Sequence, residues 1–165
     1  MLRSALFAAI AIVGPIGAAS AAMVHFEASL DGKSEVPGNT TVGSGQVLAT
    51  LDTATKTLKY TLTFQGLTGP ATAAHFHGPA KAGANAGVAV AIGKDPAAVV
   101  SATATLSDAQ IKELEMGMWY VNVHTDANKG GEIRGQMKRT MEGGGTMGMN
   151  HGAMPMKHDG MPMKH

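Results

Sequence analysis

Hydrophobic and polar residues alternate along most of the chain between about residues 24 and 137. The segments VHFEASL, GQVLATLD and TLKYTLTF each carry apolar residues at every second position, many of them β-branched or aromatic. Such alternation is typical of β-strands that bury one face. Glycine, asparagine, aspartate and proline separate these segments and indicate turns. The same pattern predicts further strands at residues 71–77, 87–92, 101–106, 118–124 and 132–137.

One segment, SDAQIKELEMG, has a helical pattern instead. Ser107 is a candidate N-cap, Ile111 and Leu114 share one face, and Gly117 is a stop signal. A short helix between two strands is therefore predicted. About eight strands with close turns and one helix favour an all-β fold, either an antiparallel β-sandwich or an open Greek-key barrel. The lack of crossover helices excludes a parallel α/β sheet.

The first 21 residues have the pattern of a secretory signal peptide. A basic start at Arg3 precedes an apolar run and then small residues, and the small-x-small site at 19–21 predicts a mature start near Ala22. The alternative is a retained membrane anchor, but the apolar run is shorter than the roughly 20 residues that a spanning helix needs. We therefore expect a periplasmic or secreted protein with no membrane contact after cleavage.

Composition narrows the classes of function. The chain of 165 residues has room for one domain, predicted at residues 22–140, plus appendages. Its formal charge of +1, with scattered lysine and arginine, argues against nucleic acid as a partner. Cysteine is absent, which excludes disulfides, thiolate metal sites and cysteine nucleophiles. Any soft metal ligand must therefore be methionine sulfur.

The C-terminal segment, predicted as a tail at residues 141–165, repeats one unit, Met-x-Met-x-His, three times with a period of seven. Glycine and proline interrupt the repeat and exclude a helical seam. The tail has too few apolar residues other than methionine to build a core, so disorder without a ligand is predicted. The repeated positions are Met147, Met149 and His151, then Met154, Met156 and His158, then Met161, Met163 and His165.

Each unit of this tail offers two thioether sulfurs and one imidazole nitrogen. Thioether sulfur suits Cu(I) or Ag(I), and imidazole also accepts Cu(II). The alternatives are a methionine-rich interaction surface, an oxidant sink through sulfoxide formation, or a biased sequence without function. Neither of the first two needs a histidine in register with both methionines. The tail is therefore predicted to bind copper ions.

Four motifs lie in order along the predicted domain: EVP after the first strand, then HFHGPA, YVNVHT and GGEIRGQ. With the segments around them, they make the chain resemble a CHRD domain, the module first described in chordin and common in bacterial exported proteins. The resemblance covers nearly all of residues 22–140. It implies a β-rich extracytoplasmic domain and implies no reaction, because a fold does not define an activity.

Three histidines of the domain form a candidate metal site. His75 and His77 are two apart, so on a strand both side chains lie on one face. His124, at the end of a later strand, would supply a third nitrogen if that strand lies nearby. Three imidazoles suit copper or zinc. The alternative is that all three are structural, bonded to backbone carbonyls or to Asp126 and Glu132.

The segment HTDANKGGEIRGQ predicts a hairpin with residues 126–131 as its loop. On the outgoing strand Glu132 and Arg134 share a face, opposite Ile133. We predict that Arg134 pairs with a carboxylate such as Asp126 or Glu132. The alternative is an arginine that orients an anion beside a metal ion.

These residues lead to one main functional hypothesis and two others. The first is an exported, non-enzymatic copper-binding protein for buffering, resistance or delivery, with a copper exporter, chaperone or oxidase of the envelope as partner. The second is a structural or adhesion module of the envelope. A superoxide-dismutase-like activity is third, because the predicted domain lacks a cysteine pair and has only four histidines, including His25, which has no partner pattern. No phosphate loop, nucleophile elbow or HExxH helix is present.

Overall fold

A computed structural model describes residues 22–140, which fold into nine antiparallel strands and one short helix. The segments 1–21 and 141–165, with the predicted signal peptide and all three repeated units, lie outside the described residues. Within the described part, no helix is long and apolar enough to cross a membrane. The elements are β1 Met23–Asp31, β2 Ser44–Asp52, β3 Thr57–Gln65, β4 Ala71–His77, β5 Val88–Lys94, β6 Val99–Thr105, α1 Asp108–Glu115, β7 Tyr120–Thr125, β8 Ile133–Gln136 and β9 Lys138–Thr140.

The strands form one sheet in the order β5-β4-β7-β8-β1-β2-β3-β6, and β9 pairs with β1. Its two ends, β5 and β6, are consecutive in sequence, and the sheet curls into a nearly closed barrel or sandwich. The predicted fold class is confirmed. The strand count differs by one, because the pairing at the end of the domain splits into β8 and a separate β9 that pairs with β1.

The alternation read from the sequence corresponds to inward and outward side chains. In β1 every second residue from Val24 to Leu30 is buried, and the pattern continues through β2 and β3. Burial of large apolar side chains contributes about 1.5–3 kcal/mol each to folding. Near the centre, the ring of Phe76 packs edge-on against Tyr60, with centroids 5.0 Å apart, and lies 6.0 Å from Trp119.

The predicted helix is present and begins at its predicted cap. The Ser107 hydroxyl accepts a hydrogen bond from the Gln110 backbone N–H, and the Gln110 side chain accepts one from the Ser107 N–H. This reciprocal capping box satisfies two N–H groups at the start of the helix. Gly117 ends the helix with a positive φ of 70°. The Gln110 amide also donates to the Ala89 carbonyl and so ties the helix to β5.

The loop between β1 and β2 crosses to the closing hairpin between β7 and β8. The Asn39 side chain donates to the Glu132 carbonyl oxygen at 2.9 Å, and the Thr41 hydroxyl donates to Glu132 Oε1 at 2.6 Å. The EVP motif lies in this loop, and Glu35 of that motif is buried. The early loop therefore lies against the strands that carry the candidate site.

Candidate metal centre

Strands β4 and β7 are neighbours, and their register brings the candidate histidines together. His75 is paired with Asn122, and His77 with Tyr120, while His124 is opposite Ala73. A register shift between Phe76 and His77 in the pairing of β4 with β5 marks a local irregularity of β4.

Phe76 is fully buried in the core, as the alternation requires. The predicted proximity of His75 and His77 is present, with ring centroids 5.5 Å apart.

Three ring nitrogens, one each from His75, His77 and His124, lie within 4.8 Å of one another. His75 Nδ1 and His124 Nε2 are 3.1 Å apart. Two nitrogens bound to one tetrahedral ion at about 2.0–2.1 Å are about 3.3 Å apart. One pair therefore already has the spacing of two ligands, and a small movement of His77 would complete a three-nitrogen set.

The outward nitrogens of two rings are held by backbone carbonyls. His77 Nδ1 lies 3.0 Å from the Ala86 oxygen, and His124 Nδ1 lies 3.0 Å from the Lys129 oxygen. A carbonyl can only accept, so these nitrogens donate, which leaves Nε2 of each neutral ring as an acceptor that faces the cluster. Metal-binding histidines have this outer hydrogen bond almost without exception. Structural histidines can form it too, but it does not account for three convergent nitrogens.

The electrostatics of the cluster favour uncharged rings. Burial lowers the pKa of His75, and the charges of His124 and His77 lower it further. Burial also lowers the pKa of His124; the hydrogen bond to the Lys129 carbonyl opposes this, and His77 adds to it. Because a metal ion needs the unprotonated imidazole, both shifts extend the pH range in which an ion competes with protons.

The prediction that Arg134 forms an ion pair with Asp126 or Glu132 is wrong. Its guanidinium donates to the Asn85 side-chain oxygen at 2.8 Å and to the Ala84 carbonyl, and it stacks 3.4 Å above the centre of the Tyr120 ring. Asn85 and Ala84 lie in the loop between β4 and β5, which is far from Arg134 in sequence. The Tyr120 ring also stacks with the ring of His77: the two ring centroids are 4.8 Å apart and the rings are nearly parallel.

Glu132 is not available to Arg134 because threonines already surround it. Thr41 and Thr68 donate to its carboxylate at 2.6 and 2.7 Å, and Thr125 donates at 2.6 Å. Burial works to raise the pKa of Glu132, but these hydrogen bonds outweigh burial and lower it to about 2. The carboxylate is therefore ionised, fully bonded and structural.

Two polar residues at the site, Asn122 and Glu35, were not predicted. Asn122 Oδ1 lies 3.1 Å from His77 Nε2, and its side-chain nitrogen lies 3.5 Å from the Gly130 carbonyl. Glu35 Oε1 is buried and has no hydrogen-bond partner among the described residues. Burial raises the pKa of Glu35. The backbone of Val36, the charge of Arg134 and the Asn122 side chain each lower it, but burial is the larger influence. Both residues belong to the family motifs, which was the available signal.

The remaining histidine of the domain is separate from this cluster. His25 lies on β1, and its Nδ1 is 3.0 Å from the Thr50 hydroxyl across the pair with β2. The nine predicted methionine and histidine ligands at 147–165 lie outside the described residues, so their copper binding stays a prediction.

The fold and the site define a class: a small antiparallel β domain with a cluster of three histidines on two adjacent strands. The model of the CHRD domain matches residues 26–137, which is more than half of the chain. The chain belongs to the CHRD domain family. Searches of curated proteins and of solved structures found no match.

Proposed function

We propose that the chain is a non-enzymatic module of the cell envelope whose folded domain binds one transition metal ion through His75, His77 and His124. The observation that carries the proposal is the convergence of three ring nitrogens within 4.8 Å. Two of the rings have their outer nitrogens bonded to backbone carbonyls, which orients the inner nitrogens before an ion arrives.

The donors favour copper or zinc. Neutral imidazole is a ligand of both ions, while magnesium and calcium prefer oxygen. Three protein ligands leave a fourth position of a tetrahedral ion to another group. Because all three histidines lie on two paired strands, the site needs little ordering on binding.

Family membership supports the structural or adhesive part of this proposal better than copper handling. The match with the CHRD domain carries no copper-specific feature by itself. Copper buffering or delivery, with an exporter, chaperone or oxidase as partner, is the second candidate. It is favoured by the Met-x-Met-x-His units of residues 147–165, which would capture Cu(I) and pass it to the domain.

The test needs to separate the domain from the tail within one full-length chain. In a tail-silenced chain, the six methionines and three histidines of the repeated units are replaced by serine. Zinc and Cu(II) are titrated into this chain and into its His124→Ala variant, with a chromophoric chelator as competitor and His25→Ala as the matched control. We expect one ion per chain, lost in His124→Ala and kept in His25→Ala.

Failure of the tail-silenced chain to bind either ion would overturn the metal site and leave the structural module. The second candidate is tested by anaerobic Cu(I) titration of the unaltered chain beside the tail-silenced one. Several Cu(I) ions bound only by the unaltered chain would support copper handling. Equal Cu(I) uptake by both chains would exclude the tail from it.

A further inference from the structure

We propose that Asn122 is the fourth ligand of the metal centre, through its side-chain oxygen, and that Glu35 is the positioning residue that holds this oxygen toward the ion. The inference rests on the proposed metal site and adds an oxygen to its three nitrogens. It also assigns a preference for Zn(II) and Cu(II) over Cu(I), because Cu(I) favours sulfur and imidazole over oxygen.

The register places Asn122 in the middle of the histidine cluster. It lies between Tyr120 and His124 on β7 and is paired with His75 on β4. Its Oδ1 is 3.1 Å from His77 Nε2. The other close pair, His75 Nδ1 and His124 Nε2, has the same separation of 3.1 Å. These two pairs of atoms, each at the spacing of two ligands, would together supply four ligands to one ion.

The contact between His77 and Asn122 has the character of two electron-pair donors facing each other. A neutral imidazole carries one N–H, and at His77 the Ala86 carbonyl takes it at Nδ1. Nε2 is then an acceptor opposite Oδ1, which is also an acceptor. Such a pair repels in the absence of a ligand, and a cation between the two atoms would turn the repulsion into two bonds.

A simple rotation of the Asn122 amide would relieve this repulsion, since its NH₂ group would then donate to His77 Nε2. The rotation would also turn Oδ1 toward the Glu35 carboxylate and exchange one pair of facing acceptors for another. In the observed orientation the Asn122 NH₂ group faces Glu35 and the Gly130 carbonyl. Glu35 therefore decides the direction in which the amide points.

Glu35 is itself fixed by close packing. Only 7% of its surface is exposed. A Cβ atom on Gly131 would lie 2.1 Å from Glu35 Oε1 and 2.9 Å from Asn122 Nδ2, so the carboxylate and the amide both lie beside this glycine. Oε1 has no hydrogen-bond partner among the described residues. A buried carboxylate with spare acceptor capacity is suited to holding an NH₂ group in place.

Binding requires a small movement of His77 and a change of tautomer at His75. His77 keeps its hydrogen on Nδ1, bonded to Ala86, and His124 keeps its hydrogen on Nδ1, bonded to Lys129. The hydrogen that His75 Nδ1 shares with His124 in the free protein moves to His75 Nε2 through solvent. The ion then meets three neutral nitrogens and one neutral oxygen.

The experiment measures Zn(II) and Cu(I) affinities of the tail-silenced chain and three of its variants. Asn122→Ala should weaken Zn(II) binding by about 10- to 100-fold and leave Cu(I) binding within about threefold. Asn122→Asp keeps an oxygen at the same position and should restore Zn(II) binding. Asn128→Ala, in the same hairpin, removes an amide that bonds to Thr68 and to no histidine, and should change neither.

The positioning role of Glu35 is read separately in the metal-free protein. Glu35→Gln removes the carboxylate, and the ¹⁵N shifts of the His77 ring should move because the Asn122 amide can now turn its NH₂ group to Nε2. Zn(II) affinity should fall without a matching fall in Cu(I) affinity. Unchanged ring shifts with unchanged Zn(II) affinity would overturn the role of Glu35.

Three results separate this inference from the proposed function. If the tail-silenced chain binds neither Zn(II) nor Cu(II), the metal site fails and the inference fails with it. If that chain binds Zn(II) and Asn122→Ala binds it equally well, only the fourth ligand is disproved. If Asn122→Ala and Asn122→Asp both lose Zn(II) and Cu(I) together, Asn122 acts through packing, and the assignment as a ligand is wrong.

Discussion

Two buried glutamates lie at the closing hairpin, and their pKa values are shifted in opposite directions. Glu132 accepts hydrogen bonds from three threonine hydroxyls and has a pKa lowered to about 2. Glu35 has a raised pKa and an oxygen with no partner among the described residues. A fully bonded carboxylate holds segments of the fold together. A buried carboxylate with an unbonded oxygen can still accept a hydrogen bond, and at Glu35 the neighbouring donor is the Asn122 amide at the candidate site.

The difference comes from the neighbours that each carboxylate has. Three separate segments bring Thr41, Thr68 and Thr125 to Glu132. The positive charge that acts on Glu35 is that of Arg134, but the hydrogen bonds of Arg134 go to Asn85 and Ala84. The charge of Arg134 therefore reaches Glu35 without a hydrogen bond, and burial remains the larger influence on the carboxyl.

The strongest test of this contrast is Glu132→Ala. Loss of the carboxylate removes the acceptor of three threonine hydroxyls and of the Thr68 backbone N–H, and we expect a loss of about 3–4 kcal/mol in the free energy of unfolding. Urea denaturation measures it, with the exposed Glu27→Ala as the matched control. Zinc affinity of the folded fraction should not change. A loss below about 1 kcal/mol would mean that the threonine contacts do not stabilise the fold.

Arg134→Met should lower the free energy of unfolding by about 2 kcal/mol, because the guanidinium donates two hydrogen bonds to the loop between β4 and β5 and stacks on Tyr120 of β7. Amide exchange at Asn85 and Ala86 should accelerate in the variant. Arg139→Met, at an exposed position of β9, is the control and should leave both measurements unchanged. Unaltered exchange in Arg134→Met would show that the loop is held by other contacts.

The pH dependence of stability should separate the two glutamates by about 1–2 kcal/mol after solvent screening. The folded pKa of Glu132, about 2, lies below its ordinary value of 4.5. Its contribution is therefore complete above pH 4.5 and is lost as the pH falls toward 2. Glu35 has a raised pKa, so it opposes folding above 4.5 and less so in acid. Denaturation of Glu132→Gln from pH 5 to pH 2 should show a shallower loss than the unaltered chain. An identical slope would contradict the low pKa of Glu132.

The smallest expected effects on stability are those of the histidines of the cluster. Because the pKa of His75 and of His124 is lowered from 6.5, the unfolded chain binds protons first, and stability of the metal-free protein falls as the pH drops below 6.5. His75→Ala should reduce that fall by less than about 1 kcal/mol, as measured by thermal unfolding at pH 7 and pH 5. A fall in His75→Ala equal to that of the unaltered chain would contradict the assignment.

The strands and the shared face of His75 and His77 followed from local pattern, and there is a physical reason for this. A period of two places His75 and His77 on one face whatever the rest of the chain does. The helix likewise depends on Ser107 and Gln110, which are three residues apart. Such features are encoded within a few residues, so sequence reasoning can find them.

The partners of the charged groups could not be predicted in this way. Arg134 meets Asn85 from 49 residues away, and Glu132 meets Thr41 from 91 residues away. Nearby acids therefore appeared to be the better partners for Arg134, and the prediction was wrong. Asn122 was missed for a related reason, since its position among the histidines depends on the register of β4 with β7.

Gly131 leaves room for a contact between the first loop and the last hairpin of the domain, and this contact bears on the order of folding. Its missing side chain is the space in which Glu35, from the first loop, meets Asn122. The strands at the two ends of the domain, β1 with β8 and β9, are also paired. Pairing over such sequence distances is slow to form. Full ion affinity would thus report that the first loop has reached the last strands, because a chain without that contact would lack the Glu35 carboxylate that holds the Asn122 oxygen toward the ion.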